Sequence, residues 1–267
     1  VGVSPEVSIM PLRFLGENGQ GDLNTAVRAI DHAVQHNVHV ISASWGAAVP
    51  REQVRPLLEA IQRAHDKGII FVAAAGNEGI NSDRTEIFPA ANGFSNAITV
   101  NATDANDRRP SWSNHGPRNI DLAAPGEDIL STLPHNTYGR LSGTSMSAPM
   151  VAGLVAFLLA QNERLSGAQI KALLQATGAR APTETACNCR VDALAAVEAL
   201  LENKMWTVPF AGTFGHGTSF VLEVINGQPP FRYSVSNPWV ARVSQTGLVS
   251  LERPGSFVIT VTDATGK

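Results

Sequence analysis

The sequence predicts an α/β domain, a doubly wound and mostly parallel sheet, followed by a small all-β sandwich module. Three observations carry that prediction. Over residues 1–204, apolar strand-like runs alternate with helical patterns, the order that builds a parallel sheet with helices on both faces. Ile69–Ala75 is apolar without polar alternation, so both of its faces are buried, as in such a sheet. Residues 205–267 hold only short alternating runs, punctuated by Gly227, Pro229, Pro230, Pro238, Gly247, Pro254 and Gly255. The boundary falls at Glu202-Asn203-Lys204, before Trp206.

The elements follow in order. Val7–Leu12 reads as a short strand. Asp22 caps a helix running to about Asn37, with Val27, Ile30 and Val34 on one face. Val38–Ser44 is a strand. Glu52–Lys67 is a helix with Val54, Leu57, Leu58 and Ile61 inward, and Gly68 ends it. Ile69–Ala75, Ala97–Ala102 and Ile120–Ala123 are strands. Met146–Gln161 is apolar around its whole circumference, which marks a central buried helix. Ser166 caps a further helix, and Val191–Leu201 forms the last. In the second module the expected strands are Phe220–Val224, Phe231–Val235, Ala241–Val243, Gly247–Leu251 and Ser256–Thr262.

The chain has 267 residues, enough for one large domain and a small module. Apolar residues make up 43% and charged residues 16%, which excludes a disordered tail or a coiled coil. Net charge is −3 and no basic stripe is visible, so nucleic acid is not an expected partner. No run of about 18 unbroken apolar residues predicts a membrane span. No secretory leader opens the chain, and Val1-Gly-Val3 reads as a cut from something longer. The two cysteines form Cys187-Asn-Cys189. They are two incidental thiols, a local disulfide in a small ring, or partners of another chain. A metal pair would need further Cys or His at matching spacing.

The chemistry concentrates in Leu141-Ser-Gly-Thr-Ser-Met-Ser-Ala-Pro-Met-Val-Ala-Gly153. Ser145 sits where a Gly-containing turn enters the buried helix, with Pro149 in the first turn. A hydroxyl there lies at the positive end of the helix dipole, where developing negative charge is stabilised. Phe71-Val-Ala-Ala-Ala-Gly-Asn77 ends an apolar strand with an amide donor, where α/β sheets gather functional groups. Val40-Ile-Ser-Ala-Ser-Trp-Gly46 ends another strand in the same way. Ser111-Trp-Ser-Asn-His-Gly116 and Asp121-Leu-Ala-Ala-Pro-Gly126 follow.

In this order the segments resemble the subtilisin-like serine proteases (subtilases). Gly143-Thr-Ser-Met-Ser-Ala-Pro149 is similar to the family's nucleophile motif. Ser44-Trp-Gly46 and Ala74-Ala-Gly-Asn77 are similar to its substrate-binding and oxyanion segments. Asp121-Leu-Ala-Ala-Pro-Gly126 is similar to a structural stretch, and the likeness covers about residues 5–200. The resemblance implies a serine endopeptidase acting on proteins or peptides. Ser145 would be the nucleophile, and Asn77 and the Ser145 N–H the oxyanion donors. Ser44, Trp45 and Gly46 would pair with substrate, and Ala74, Ala75 and Gly76 would line the pocket for the residue before the scissile bond. Thr144 joins them as substrate-binding. Glu78 and Glu86 beside that pocket would favour Lys or Arg. A structural Ca²⁺ is a further expectation, with Asp121 and carbonyls near Ala90 as candidates by position; no catalytic cofactor is expected. Met150 departs from the family's usual His at a structural position.

In subtilases a catalytic Asp and His precede the nucleophile, and neither of their motifs occurs here. Pro5-Glu-Val-Ser-Ile-Met-Pro-Leu-Arg-Phe-Leu15 resembles the family strand that follows the His helix. The subtilisin-like sheet is therefore expected to be incomplete in this chain, with an open apolar slot. The expected partner is an N-terminal fragment of the same precursor, nicked before Val7, carrying Asp and His and held noncovalently. His216-Gly-Thr218 imitates the His motif but lies in the β module, long after Ser145. His32, His36 and His39 read as solvated, and His65 as facing a helix C-terminus. The β module resembles immunoglobulin-like or cadherin-like repeats of bacterial surface and secreted proteins, here lacking a final strand. It implies a secreted or cell-surface location. The rival readings are a pseudoprotease scaffold and an adhesin whose β module binds partners.

Overall fold

The computed structural model describes residues 2–267. The first module contains α1 (Leu23–Gln35), β1 (Val40–Ala43), a 3₁₀ turn (Arg51–Val54), α2 (Arg55–Asp66), β2 (Ile70–Ala74), β3 (Ala97–Thr103) and β4 (Leu122–Pro125). It continues with β5 (Ile129–Leu133), β6 (Thr137–Leu141), α3 (Thr144–Gln161), α4 (Gly167–Thr177), β7 (Ala179–Arg180), β8 (Cys189–Arg190) and α5 (Ala193–Leu201). The main sheet has the order β1-β2-β3-β4-β8-β7. β1 to β4 and β8 run parallel, and β7 returns antiparallel to β8.

Two cores flank the sheet, as a doubly wound fold requires. On one face Phe71 and Ala73 meet Ile30 of α1, Leu57 and Ile61 of α2, and Phe88. On the other, Ile70, Val72, Ile98, Val100 and Leu122 meet Val151, Val155 and Leu158 of α3, Ile170 and Leu173 of α4, and Leu200 of α5. β2 is buried along its whole length, which accounts for its lack of polar alternation. The caps act as their residue types dictate. Asp22 accepts the Thr25 N–H at 2.9 Å, and Ser166 with Gln169 forms a reciprocal capping box. Asp192 caps α5.

Three expectations change. Val7–Leu12 is not a strand, and Ile9 is 83% exposed. Extended backbone becomes a strand only beside a partner, and no described strand pairs with it. A hairpin, β5–β6, stands just before α3; its Ser, Thr, Gly and Arg content hides it from a hydrophobicity pattern. Finally, α3 is not buried all round. It has the length and apolarity of a membrane-crossing helix, and it packs against β1 to β4. Met146, Met150, Gly153 and Phe157, on one stripe, stay partly exposed.

The second module contains β9 (Trp206–Val208), β10 (Ser219–Val221), β11 (Glu223–Ile225), β12 (Arg232–Val235), β13 (Ala241–Val243), β14 (Leu248–Leu251) and β15 (Ile259–Thr262), all paired antiparallel. Leu222, Ala241, Val249 and Leu251 form its own core. Trp206 lies at the joint: β9 pairs with β11, while its indole packs into the α3–α4–α5 core.

Asp263 ties down this module's last loop. Its carboxylate accepts the Thr265 hydroxyl at 2.6 Å and the N–H groups of Gln228, Lys267 and Thr265. The Thr265 hydroxyl, reinforced by those N–H donors, holds its pKa down to about 2. A depressed carboxylate pKa adds stability that is present above about pH 4 and lost as pH falls through the folded-state value. Asp263→Asn should therefore lower the unfolding midpoint of this module at neutral pH. Its deficit against the parent should shrink between about pH 4 and 2, read by urea unfolding at each pH.

Candidate functional site

The predicted site residues meet where β1 and β2 end and α3 begins. β2 delivers buried Ala74 and Ala75, and Gly76 then turns the chain at φ +103°. Asn114, buried in Ser111–Gly116, staples that turn. Its Nδ2 donates to the Ala75 carbonyl at 3.0 Å and to Glu78 Oε2 at 2.7 Å. Its Oδ1 accepts the N–H groups of Glu78 and Ile80.

Asn77 follows, and α3 sets its orientation. Thr144, first residue of α3, donates its N–H to Asn77 Oδ1 at 2.8 Å and its hydroxyl to the same oxygen at 3.0 Å. The Thr144 hydroxyl in turn accepts the Gly76 N–H at 3.0 Å. A backbone N–H can only donate, so the amide oxygen must face Thr144 and the Nδ2 must face away. That Nδ2 donates to nothing among the described residues. The Ser145 N–H also lacks an intrahelical acceptor, as the second N–H of a helix must. Two donors, the Asn77 Nδ2 and the Ser145 N–H, therefore stand unused among the described residues.

Ser145 and Ser44 bond reciprocally. Ser145 Oγ donates to the Ser44 carbonyl at 3.0 Å, and Ser44 Oγ donates to the Ser145 carbonyl at 3.1 Å. The second bond has a cause in Pro149. The helix starts at Thr144, so Pro149 sits in its second turn rather than the first. Having no N–H, it leaves the Ser145 carbonyl without its usual partner, and Ser44 supplies one. Ser44→Ala should cost about 1 kcal/mol, lowering the thermal midpoint by roughly 2–4 °C, as calorimetry would record.

Trp45 and Gly46 lead away from the serine beside a cleft of about 590 Å³. Phe14, Leu23, Ala26, Trp45, Leu57 and Phe88 make its apolar wall, and Phe14 packs edge-on to Trp45 at 5.0 Å. None of the sequence motifs points to this cleft. Phe14 and Leu23 lie nine positions apart but Leu57 is 34 further on, and only their shared apolarity hinted at it.

Other expected residues are otherwise engaged. Glu86 binds Arg51 at 2.7 Å, which neutralises it, so it brings no free charge to the pocket. Asp121 accepts the Thr99 N–H at 2.8 Å and pairs with the Lys171 ammonium at 3.2 Å. The Ala90 carbonyl accepts the Thr99 hydroxyl at 2.8 Å. The Lys171 ammonium already supplies Asp121 with a positive charge, which does not suit a cation there, and no group of three His, Cys, Asp or Glu gathers among the described residues. His216 rests against the Glu252 carbonyl in the β module, and His65 against Ser95. Cys187 and Cys189 form a disulfide.

Both modules of the chain are similar to known proteins. The subtilase family profile matches residues 1–196, and the intimin immunoglobulin-like domain profile matches residues 216–265. The major intracellular serine protease of Bacillus subtilis (strain 168) is 41% identical over 165 residues, 61% of this chain and 50% of that one. Subtilisin DY of Bacillus licheniformis is 36% identical over 178 residues, 66% of this chain and 63% of that one. The chain thus spans half to somewhat under two thirds of these relatives. A crystal structure of a cold-adapted subtilisin-like serine proteinase superposes with a TM-score of 0.65 at 31% identity, over 72% of this chain and 69% of that one.

Proposed function

We propose, since the chain belongs to the subtilase family, that it hydrolyses peptide bonds through an acyl-enzyme on Ser145. The observation that supports this most is the Thr144–Asn77 lock, made by the residue before the serine, which holds the Asn77 oxygen and leaves its amide donor without a partner among the described residues. Ser145 Oγ leaves the Ser44 carbonyl and attacks the scissile carbonyl carbon as a base takes its proton. The tetrahedral oxyanion receives hydrogen bonds from Asn77 Nδ2 and the Ser145 N–H at the positive end of α3. The proton passes to the leaving amine, the acyl-enzyme forms, and water then releases the acid.

The base and its orienting carboxylate come from a separate N-terminal fragment of the same precursor, carrying His and Asp. Three features support that partner. The hydrogen-bond partner of Ser145 Oγ among the described residues is a carbonyl, not a base. β1 leaves one edge of the sheet unpaired among the described residues. The partly exposed stripe on α3 begins beside the serine. A fluorophosphonate probe should label Ser145 when the chain is bound to that fragment and should leave Ser145→Ala unlabelled. An assembled complex that resists the probe overturns the proposal.

Residues 44–46 pair with an extended substrate, and an apolar side chain of that substrate enters the cleft beside Trp45. Glu78, held by Asn114 next to Gly76, is the carboxylate at the pocket wall. It favours Lys or Arg before the scissile bond. Glu78→Gln should reduce the preference for Lys over Leu by about two- to fivefold, the worth of an exposed ion pair, measured as a ratio of kcat/KM values.

The disulfide and the immunoglobulin-like module support an oxidising, extracellular or cell-surface location. That module also favours a second reading, an adhesin in which it binds partners. Removing residues 209–267, and so keeping Trp206 in its core, separates the two. A protease keeps peptide turnover, whereas an adhesin loses its binding.

A further inference from the structure

We infer that His32 and His36 form a surface site for a late first-row divalent metal, Cu²⁺ most tightly. They are the i and i+4 residues at the C-terminal end of α1, a spacing that puts two side chains on one helix face. Their rings lie 4.1 Å apart between centroids and are tilted by 36°. Both residues are exposed.

The tautomer of His36 is settled by one bond. Its Nδ1 lies 2.8 Å from the His32 carbonyl. A carbonyl only accepts, so Nδ1 carries the hydrogen, and in the neutral ring the lone pair is on Nε2. Metal-binding histidines are held in this way, one ring nitrogen donating to a carbonyl while the other faces the ion. The His32 ring makes no hydrogen bond among the described residues, so either of its nitrogens is free to turn to the same ion. The neighbouring Asp31 is bound to Arg63 at 2.7 Å; it neutralises that cation and supplies no ligand.

Two imidazoles set the class of ion. Ca²⁺ and Mg²⁺ require oxygen ligands. Imidazole suits copper, nickel and zinc, and copper leads them in affinity. The remaining coordination positions go to water. The site is separate from Ser145 and from the cleft, which α1 reaches with its other end, at Leu23 and Ala26, about 15 Å away by helix rise. Binding clips together the last turn of α1 and stabilises the fold by mass action.

The test uses the full chain without an affinity tag, titrated with Cu²⁺ and then Zn²⁺ by calorimetry. One Cu²⁺ per chain is expected, with an electron paramagnetic resonance spectrum showing two imidazole nitrogens. Outer hydrogen-bond partners of a metal ligand alone are worth roughly 10–100-fold in affinity, so His32→Ala and His36→Ala should each weaken binding by at least about tenfold. His216→Ala should not change it, and circular dichroism should show all three variants folded. Absence of one-to-one binding, or binding that survives both substitutions at positions 32 and 36, overturns the site and leaves a stacked, solvated pair.

Discussion

Asn77→Ala is expected to lower turnover by about two to three powers of ten, with KM little changed, once the Asp- and His-bearing fragment is bound. Ser145→Ala in the same complex is expected to remove about six. Both magnitudes are those established for subtilisin, a member of the same family, and are not deduced from this geometry. The geometry supplies the reason for the split between kcat and KM. Asn77 Nδ2 has no partner among the described residues, and in the proposed mechanism it gains one only when negative charge forms on the substrate oxygen. An interaction made only in the transition state lowers kcat and kcat/KM together when it is removed. The two substitutions should also fail to add. Without the Ser145 hydroxyl no tetrahedral adduct forms on the enzyme, so the double variant should be nearly as active as Ser145→Ala alone. Single-turnover assays of the four proteins check this, and a full additive penalty would show that Asn77 acts on substrate binding instead.

How much of this was legible depends on how local each cause is. α4 was readable because Ser166 and Gln169, three residues apart, satisfy each other's backbone. β2 was readable because burial on both faces leaves an unbroken apolar run. Ser145 and Asn77 were legible through the family motif, and the structure brings their segments together through Thr144. The failures share a different cause. The pairing of Glu86 was hidden because Arg51, which engages it, lies 35 positions away. The Val7–Leu12 strand failed because a strand is a property of a pair, and its sequence holds only one member. The bonds from Thr144 to Asn77 join residues 67 positions apart, and no local pattern announces them.

Gly76→Ala is expected to damage the site more than the fold. Gly76 has φ +103°, a conformation costly for any residue with a Cβ. A Cβ there would also meet Asn114 Nδ2 and, at 2.6 Å, Glu78 Oε2. Glu78 is exposed and yields easily. Asn114 is fully buried and holds the turn through its bonds to Ala75, Glu78 and Ile80, so the backbone at Gly76 must give instead. The strain costs about 1–3 kcal/mol, and its relief moves Asn77, the next residue, out of reach of the developing oxyanion. A misplacement of about 1 Å can cost roughly 100-fold in rate, so turnover should fall far more than the thermal midpoint. Gly68→Ala is the control. Gly68 has φ +74° and open space where a Cβ would stand, and it ends α2 far from the serine in sequence. That variant should lose about 1–2 kcal/mol of stability and keep its turnover. Equal losses of activity in the two variants would mean that the turn at Gly76 does not position Asn77, leaving its orientation to Thr144 alone.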